Sequence, residues 1–153
     1  MKVIIQRVKE SSVSIDNKIY NSIDNGLMVL VGFTEGDTSL DIDYVVKKIC
    51  NLRIFDDENG VMNKSVIDVK GSILSISQFT LYADTRKGNR PSYIKALKGE
   101  LSSGLYDEFN KKLNEIVSTK TGIFGADMKV SLINDGPITI IIDSTERNKS
   151  RNE

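Results

Sequence analysis

No histidine occurs in this chain, cysteine occurs once, and neither charge is in excess. The missing histidine removes the common zinc sites and every Ser-His or Cys-His hydrolase arrangement, so acid–base chemistry has to come from other groups. A single cysteine excludes an internal disulfide. It lies in Val45-Val46-Lys47-Lys48-Ile49-Cys50, which reads as a helix, and with no histidine to activate it Cys50 reads as a small buried hydrophobe rather than a nucleophile. Lysine plus arginine equals aspartate plus glutamate at 21 each, so net charge points to no polyanion partner and only a local basic patch could serve one. No apolar run approaches the ~20 residues that cross a bilayer. The opening Met1–Val8 alternates as a strand does and lacks the apolar stretch and cleavage site of a signal peptide. A cytoplasmic protein with no membrane partner is expected.

What is present suits one domain: 153 residues, 39% of them hydrophobic. Residues 2–8 alternate, and Val13-Ser14-Ile15 and Ile19-Tyr20 flank Asp16-Asn17-Lys18 as a hairpin would. The run Gly26-Leu27-Met28-Val29-Leu30-Val31-Gly32-Phe33 predicts a strand buried on both faces. Asp37 or Thr38 caps a helix whose stripe is Ile42, Val45, Val46, Ile49 and Leu52. Short strands are predicted at Arg53-Ile54-Phe55 and over 73–80. Pro91 suits the first turn of a short helix through Leu97. A longer helix from about Ser102 buries Leu105, Phe109, Leu113, Ile116 and Val117. Residues 121–126 form a loop, and strands over 128–133 and 138–143 are joined by the turn Asn134-Asp135-Gly136-Pro137. The charged residues 146–153 read as a frayed tail. Strands precede, separate and follow the helices, which makes an α+β fold.

Three segments carry polar chemistry, each with a plain alternative. Ser77-Gln78-Phe79-Thr80 ends a buried strand with two hydroxyls and an amide; these bind a ligand, or satisfy backbone groups at the sheet edge. Asn134-Asp135-Gly136-Pro137-Ile138-Thr139 is an unusual turn or an ordinary hairpin, and sequence alone gives little reason to expect a cis Gly136-Pro137 bond. Arg86-Lys87-Gly88-Asn89-Arg90 is the densest cationic segment, a solvated loop or a set of phosphate contacts.

The segments gain meaning from their order. Gln6-Arg7-Val8, Ser12-Val13, Arg53-Ile54-Phe55, Met62-Asn63-Lys64-Ser65-Val66, Ser77-Gln78-Phe79-Thr80-Leu81, Lys87-Gly88-Asn89-Arg90-Pro91-Ser92, Thr121-Gly122-Ile123-Phe124-Gly125-Ala126 and Asn134-Asp135-Gly136-Pro137-Ile138-Thr139 follow one another at family spacing. Together they closely resemble the D-aminoacyl-tRNA deacylases, from Met1 to about Ser144. The charged extension beyond that point falls outside the likeness.

The resemblance implies a single deacylase domain over 1–145. It would be a mostly antiparallel, twisted or barrel-like sheet with two or three packed helices. It implies a cytosolic homodimer that hydrolyses the ester between a D-amino acid and tRNA, and that also clears glycine mischarged onto alanine tRNA. On this likeness Ser77, Gln78, Phe79 and Thr80 line the catalytic pocket, and Phe124, Gly125 and Ala126 close another wall, with Asn134 and Thr139 contributing. Gly136-Pro137 would be a cis Gly-Pro wall that enters the partner's site and excludes L-amino acids. Arg86, Lys87 and Arg90 would contact tRNA phosphates, and no metal or cofactor is implied. Two mechanisms stand open: attack by the Thr80 hydroxyl, or a backbone oxyanion hole with the tRNA ribose 2′-hydroxyl helping to activate water. The lack of a base fits the second better. Two other readings are a hydrolase of small esters acting through Thr80 or Ser77, and a non-catalytic RNA-binding module using the 86–90 loop.

Overall fold

The computed structural model describes residues 1–151, so residues 152 and 153 of the expected tail lie outside the described residues. Its elements are β1 (Lys2–Ile15), β2 (Lys18–Ile23), β3 (Gly26–Gly32), α1 (Ser39–Asn51), β4 (Phe55–Asp56), β5 (Met62–Lys64), β6 (Ser72–Ser77), α2 (Gly99–Asn114), β7 (Thr119–Thr121) and β8 (Lys129–Asp143). Short 3-10 turns span Phe79–Tyr82 and Ser144–Asn148. The main sheet runs β2-β1-β3-β6-β7, with β8 on the other edge of β1, and it curls until nearly closed into a barrel. It carries two helices in one domain, as the α+β reading expects. A separate small sheet joins β4 and β5.

β1 is the spine, because its first half pairs with β3, its second half with β2, and nearly its whole length with β8. β3 and β6 run parallel, as do β6 and β7, and the helices α1 and α2 lie in the two crossovers. The double burial predicted for β3 has a simple cause. Leu27, Val29 and Val31 face a core that includes Ile42, Val45 and Ile49 of α1 and Phe109 and Leu113 of α2. Met28 faces the barrel interior with Val8, Val13, Leu74 and Ile76. Each such side chain contributes roughly 1.5–3 kcal/mol relative to exposure.

Thr38 caps α1 through a capping box: its hydroxyl accepts from Leu40 N, and its own N–H donates to Asp41 Oδ2 at 2.9 Å. Ile42, Val45, Val46 and Ile49 are its buried face, as the spacing predicts. Past β8, Ser144 is buried, and Arg147 pairs with Asp41 of α1.

Several sequence expectations are corrected. The predicted strand at 53–55 shrinks to Phe55–Asp56. Residues 91–97 form no helix: Ser92 exchanges backbone hydrogen bonds with Asp84 at 2.8 and 3.0 Å, and Lys95 O accepts from the Thr34 hydroxyl at 2.6 Å. Those tertiary bonds occupy groups that a helix would need. α2 begins at Gly99, and its buried face is Ser102, Tyr106, Phe109 and Leu113; Leu105 is half-buried and Ile116, beyond the helix end, is exposed.

The 134–137 segment is no hairpin. The arms before and after it both pair with β1, Val130–Leu132 against Val13–Ser11 and Thr139–Asp143 against Gln6–Lys2, so the chain never reverses. Asn134 lies opposite Val8 and Thr139 opposite Gln6, which leaves residues 135–138 facing Arg7 alone. The segment is an extended bulge inside one strand, which re-aims a short stretch of backbone out of the ladder.

Candidate active site

At the carboxyl ends of the parallel strands β3 and β6 lies a cavity of about 680 Å³. Such strand ends are where open parallel sheets commonly hold ligands. Val31 pairs with Ser77, and Gln78 N–H donates to Val31 O at 2.7 Å, so the two strand ends are locked side by side. Gly32 permits this approach, since a Cβ there would meet Gln78 O at 2.8 Å.

The strand predicted to reach Thr80 stops at Ser77, and Phe79–Tyr82 winds into a 3-10 turn. Leu81 N–H reaches Gln78 O at 3.3 Å, Ala83 N–H reaches Thr80 O at 3.0 Å, and the Gln78 amide donates to the Thr80 hydroxyl. This places Ser77, Gln78 and Phe79 in the cavity lining, with Thr80 next along the turn. N–H groups that open such a turn lack intrahelical acceptors, which leaves them available to a ligand.

Phe124, Gly125 and Ala126, from the β7–β8 loop, line the same cavity. The structure therefore brings together two segments that stand far apart in sequence. It adds residues that sequence reasoning missed: Tyr93, Leu97, Lys98, Ser102 and Met128. Tyr93 meets the Phe79 ring edge-on at 5.1 Å between centroids. Ser102 and Tyr106 stand one helical turn apart on the buried face of α2, a spacing visible in the sequence but hidden by their polar atoms.

Gly136, Pro137, Asn134 and Thr139 do not line the cavity of their own chain. The Gly136-Pro137 peptide is cis and Gly136 has φ of +133°, a region in which a Cβ would also meet Ile138 Cγ1 at 2.8 Å. Asn134 Oδ1 accepts from Ile138 N–H at 3.0 Å, and its amide donates to the Thr139 hydroxyl at 3.0 Å, closing the bulge on itself. Arg7 fixes it from beneath. Although only 7% exposed, it donates to Asp135 O at 3.0 Å and to Ile54 O at 2.8 Å, with the Asp135 and Asp56 carboxylates at 3.5 Å.

Of the basic loop, Arg86 is engaged with Asp84 at 2.6 Å and holds that carboxyl well below the usual range, while Lys87 and Arg90 are exposed and make no ion pair among the described residues. Cys50 is fully buried and burial pushes its thiol up to about 11, which removes it as a nucleophile. No group of three or more metal-ligating side chains occurs among the described residues.

The cavity thus offers hydroxyls, an amide and backbone donors. Donors of this kind can polarise a carbonyl group, and with no histidine in the chain no imidazole can move a proton there. A solved structure described as "c-Myc DNA Unwinding Element Binding Protein" is 39% identical, with a TM-score of 0.89 over 94% of this chain and 98% of that one. A second, described as "Structural Analysis of a probable eukaryotic D-amino acid tRNA deacylase", shares the fold at a TM-score of 0.79 with 16% identity, over 92% and 97% of the chains. A family model described as "D-Tyr-tRNA(Tyr) deacylase" matches residues 4–143, and by that match the chain belongs to this family of hydrolases, which act on the ester bond of aminoacyl-tRNA.

Proposed function

We propose that this protein is a chiral proofreader, which hydrolyses the ester of D-aminoacyl-tRNA to free D-amino acid and tRNA and spares the L form. The observation that carries the reading is that Ser77–Phe79 and Phe124–Ala126 share one cavity, while the adjacent Thr80 hydroxyl takes its hydrogen bond from the neutral Gln78 amide. Its size falls within the ~300–1,000 Å³ of small-ligand sites, enough for the aminoacyl end and its adenosine.

In this mechanism the carbonyl carbon is attacked by water. Backbone N–H groups at the turn through Phe79 and Thr80 take the developing oxyanion, and the ribose 2′-hydroxyl of the tRNA assists the water. Ser77, Gln78 and Thr80 orient the ester. Gly136-Pro137 of a second copy forms the wall that meets an L side chain; a rigid clash rejects an enantiomer more strongly than weaker attraction does. Glycine has no side chain to clash, so glycyl-tRNA is also a substrate, including glycine misplaced on alanine tRNA.

A homodimer is supported by β8. Among the described residues it pairs only with β1, which leaves a 15-residue strand with one open edge and with Ile133 and Ile141 outward at 52% and 70% exposure. Lys87, Arg90 and, after exchange with Asp84, Arg86 contact tRNA phosphates, in the cytoplasm. Residues 1–145 are the catalytic unit. The test is incubation with matched D- and L-tyrosyl-tRNA. Release of tyrosine from the D form at a rate at least about a hundredfold above the L form is expected for steric exclusion of one enantiomer. Equal rates, or an inert D form, would refute the reading.

A further inference from the structure

Beneath the cavity floor lies a polar knot that the chemistry above does not use. The Tyr106 hydroxyl, buried on α2, donates to Ser75 O at 2.8 Å. The Asn110 amide and the Gly122 backbone border the same hydroxyl. Its ring packs against Phe124 at 6.0 Å between centroids, tilted by 41°. Two further polar atoms of this knot, Ser75 Oγ and Asn110 Oδ1, are buried without hydrogen-bond partners. Buried polar atoms without partners cost stability that apolar side chains of the same shape would not, so the knot is a poor device for stability alone.

Its location is more informative. Ser75 lies two residues before Ser77, and Gly122 two residues before Phe124. Ser102, which lines the cavity, lies one helical turn before Tyr106. One side chain therefore touches the roots of the β6 wall, the 124–126 wall and the α2 wall. Gly122 N–H also donates to Ser75 O at 3.3 Å, so two of the walls meet at the acceptor that Tyr106 grips.

We propose that Tyr106 is a positioning residue for ester hydrolysis: its hydroxyl and ring together set the distance between the Ser77–Phe79 wall and the Phe124–Ala126 wall. It touches no reacting atom. It acts by holding the carbonyl within reach of its donors, where an error of about 1 Å can lower a rate by about a hundredfold. This rests on the reading of the cavity as the deacylation site.

The test uses the full chain carrying Tyr106→Phe, which keeps the ring and removes the hydroxyl. At 25 °C on D-tyrosyl-tRNA, kcat is expected to fall about tenfold while KM moves less than about twofold, because what is lost is alignment rather than affinity. The thermal midpoint is expected to drop by only about 3 °C, the size of one hydrogen bond in a chain of this length. Amide exchange at 122–126 should accelerate while α1 stays unchanged. A Ser75→Ala control, which keeps the Ser75 carbonyl, should retain kcat within about twofold. Combined with Phe124→Leu, the loss should be less than the product of the separate losses, since both act through one wall. A lowered midpoint with kcat and loop exchange at wild-type values would make the role merely structural and overturn the proposal; so would an equal kcat loss in the Ser75→Ala control. Should the unaltered protein leave D-tyrosyl-tRNA intact, the functional reading fails by itself. The exchange measurement then still decides whether Tyr106 couples the walls.

Discussion

Thr80 carries the hydroxyl nearest to a nucleophile in type, yet its surroundings argue against that role. Among the described residues its only side-chain partner is the Gln78 amide, and a neutral amide, whichever way round, takes no proton near pH 7. Thr80→Val is therefore expected to keep D-tyrosyl-tRNA hydrolysis within about tenfold of wild type, a loss of about 1.4 kcal/mol that fits an orienting contact. Quenched-flow assays for an acyl-enzyme should find none; a trapped ester on Thr80, or complete inactivity of the valine variant, would restore the covalent mechanism. At the same scale the sequence was informative about residue type and less so about placement. Ser77, Gln78 and Phe79 are legible as a polar strand end, but the sequence pattern runs on to Thr80 where the strand itself stops at Ser77. The reason is that Phe79 and Thr80 are residue types that strands favour, although the backbone has already turned there. Tyr106 is harder to read from sequence, because its hydroxyl interrupts an apolar stripe that its ring completes.

Among the elements, α1 carries the most distinct electrostatic signature. Burial alone would raise the Asp41 carboxyl, but the Thr38 N–H, the Ser144 hydroxyl, the Arg147 guanidinium and the N-terminal ammonium outweigh it and hold the group below its ordinary value. A folded-state pKa below the unfolded one means that the ionised carboxylate stabilises the fold at all pH above the unfolded value of 3.8, and that this share is lost as pH falls through the folded value. The thermal midpoint should thus decline below about pH 4 in the wild type. Asp41→Asn should start lower at pH 7 and show a shallower decline, so that the two curves converge in acid. Parallel curves from pH 7 to pH 2 would show that Asp41 contributes nothing to the acid response. The capping of α1 by Thr38 and its apolar face were both readable, since local rules govern them. The bulge at 134–137 was not. Asn-Asp-Gly-Pro is turn chemistry, and whether a turn reverses the chain depends on what lies alongside. Here β1, long enough to pair with both arms, keeps them collinear, and that is a fact about a strand some 130 residues earlier.

At the scale of the whole molecule, the proposed site needs a second copy of the chain to complete it. The cavity is built by Ser77–Phe79 and Phe124–Ala126, while Gly136 and Pro137, held by Arg7, project from the barrel without lining it. Two copies related by a two-fold axis would each donate the bulge and each receive one, as an isologous interface requires. Complementation between two defective chains tests this arrangement. Ala126→Trp fills the mouth of the cavity from a half-buried loop position and leaves the core alone. Gly136→Val cannot hold φ of +133° and displaces the donated bulge. Neither variant alone should show D-selective hydrolysis, the first because its cavity is blocked and the second because its wall is lost. In a mixed dimer, the open cavity of the Gly136→Val chain receives an intact bulge from the Ala126→Trp chain, so one site becomes whole. Random pairing makes about half of the dimers mixed, each with one whole site, so co-refolded equal mixtures should recover about a quarter of wild-type D-selective turnover. In the opposite distribution, a single chain carrying both substitutions refolded with wild type, the mixed dimers hold no whole site, so turnover should fall to about half of what the same wild-type chains give alone. If each site were built within one chain, the mixture of the two single variants would never exceed the sum of its parents, and the shared-site arrangement would be wrong.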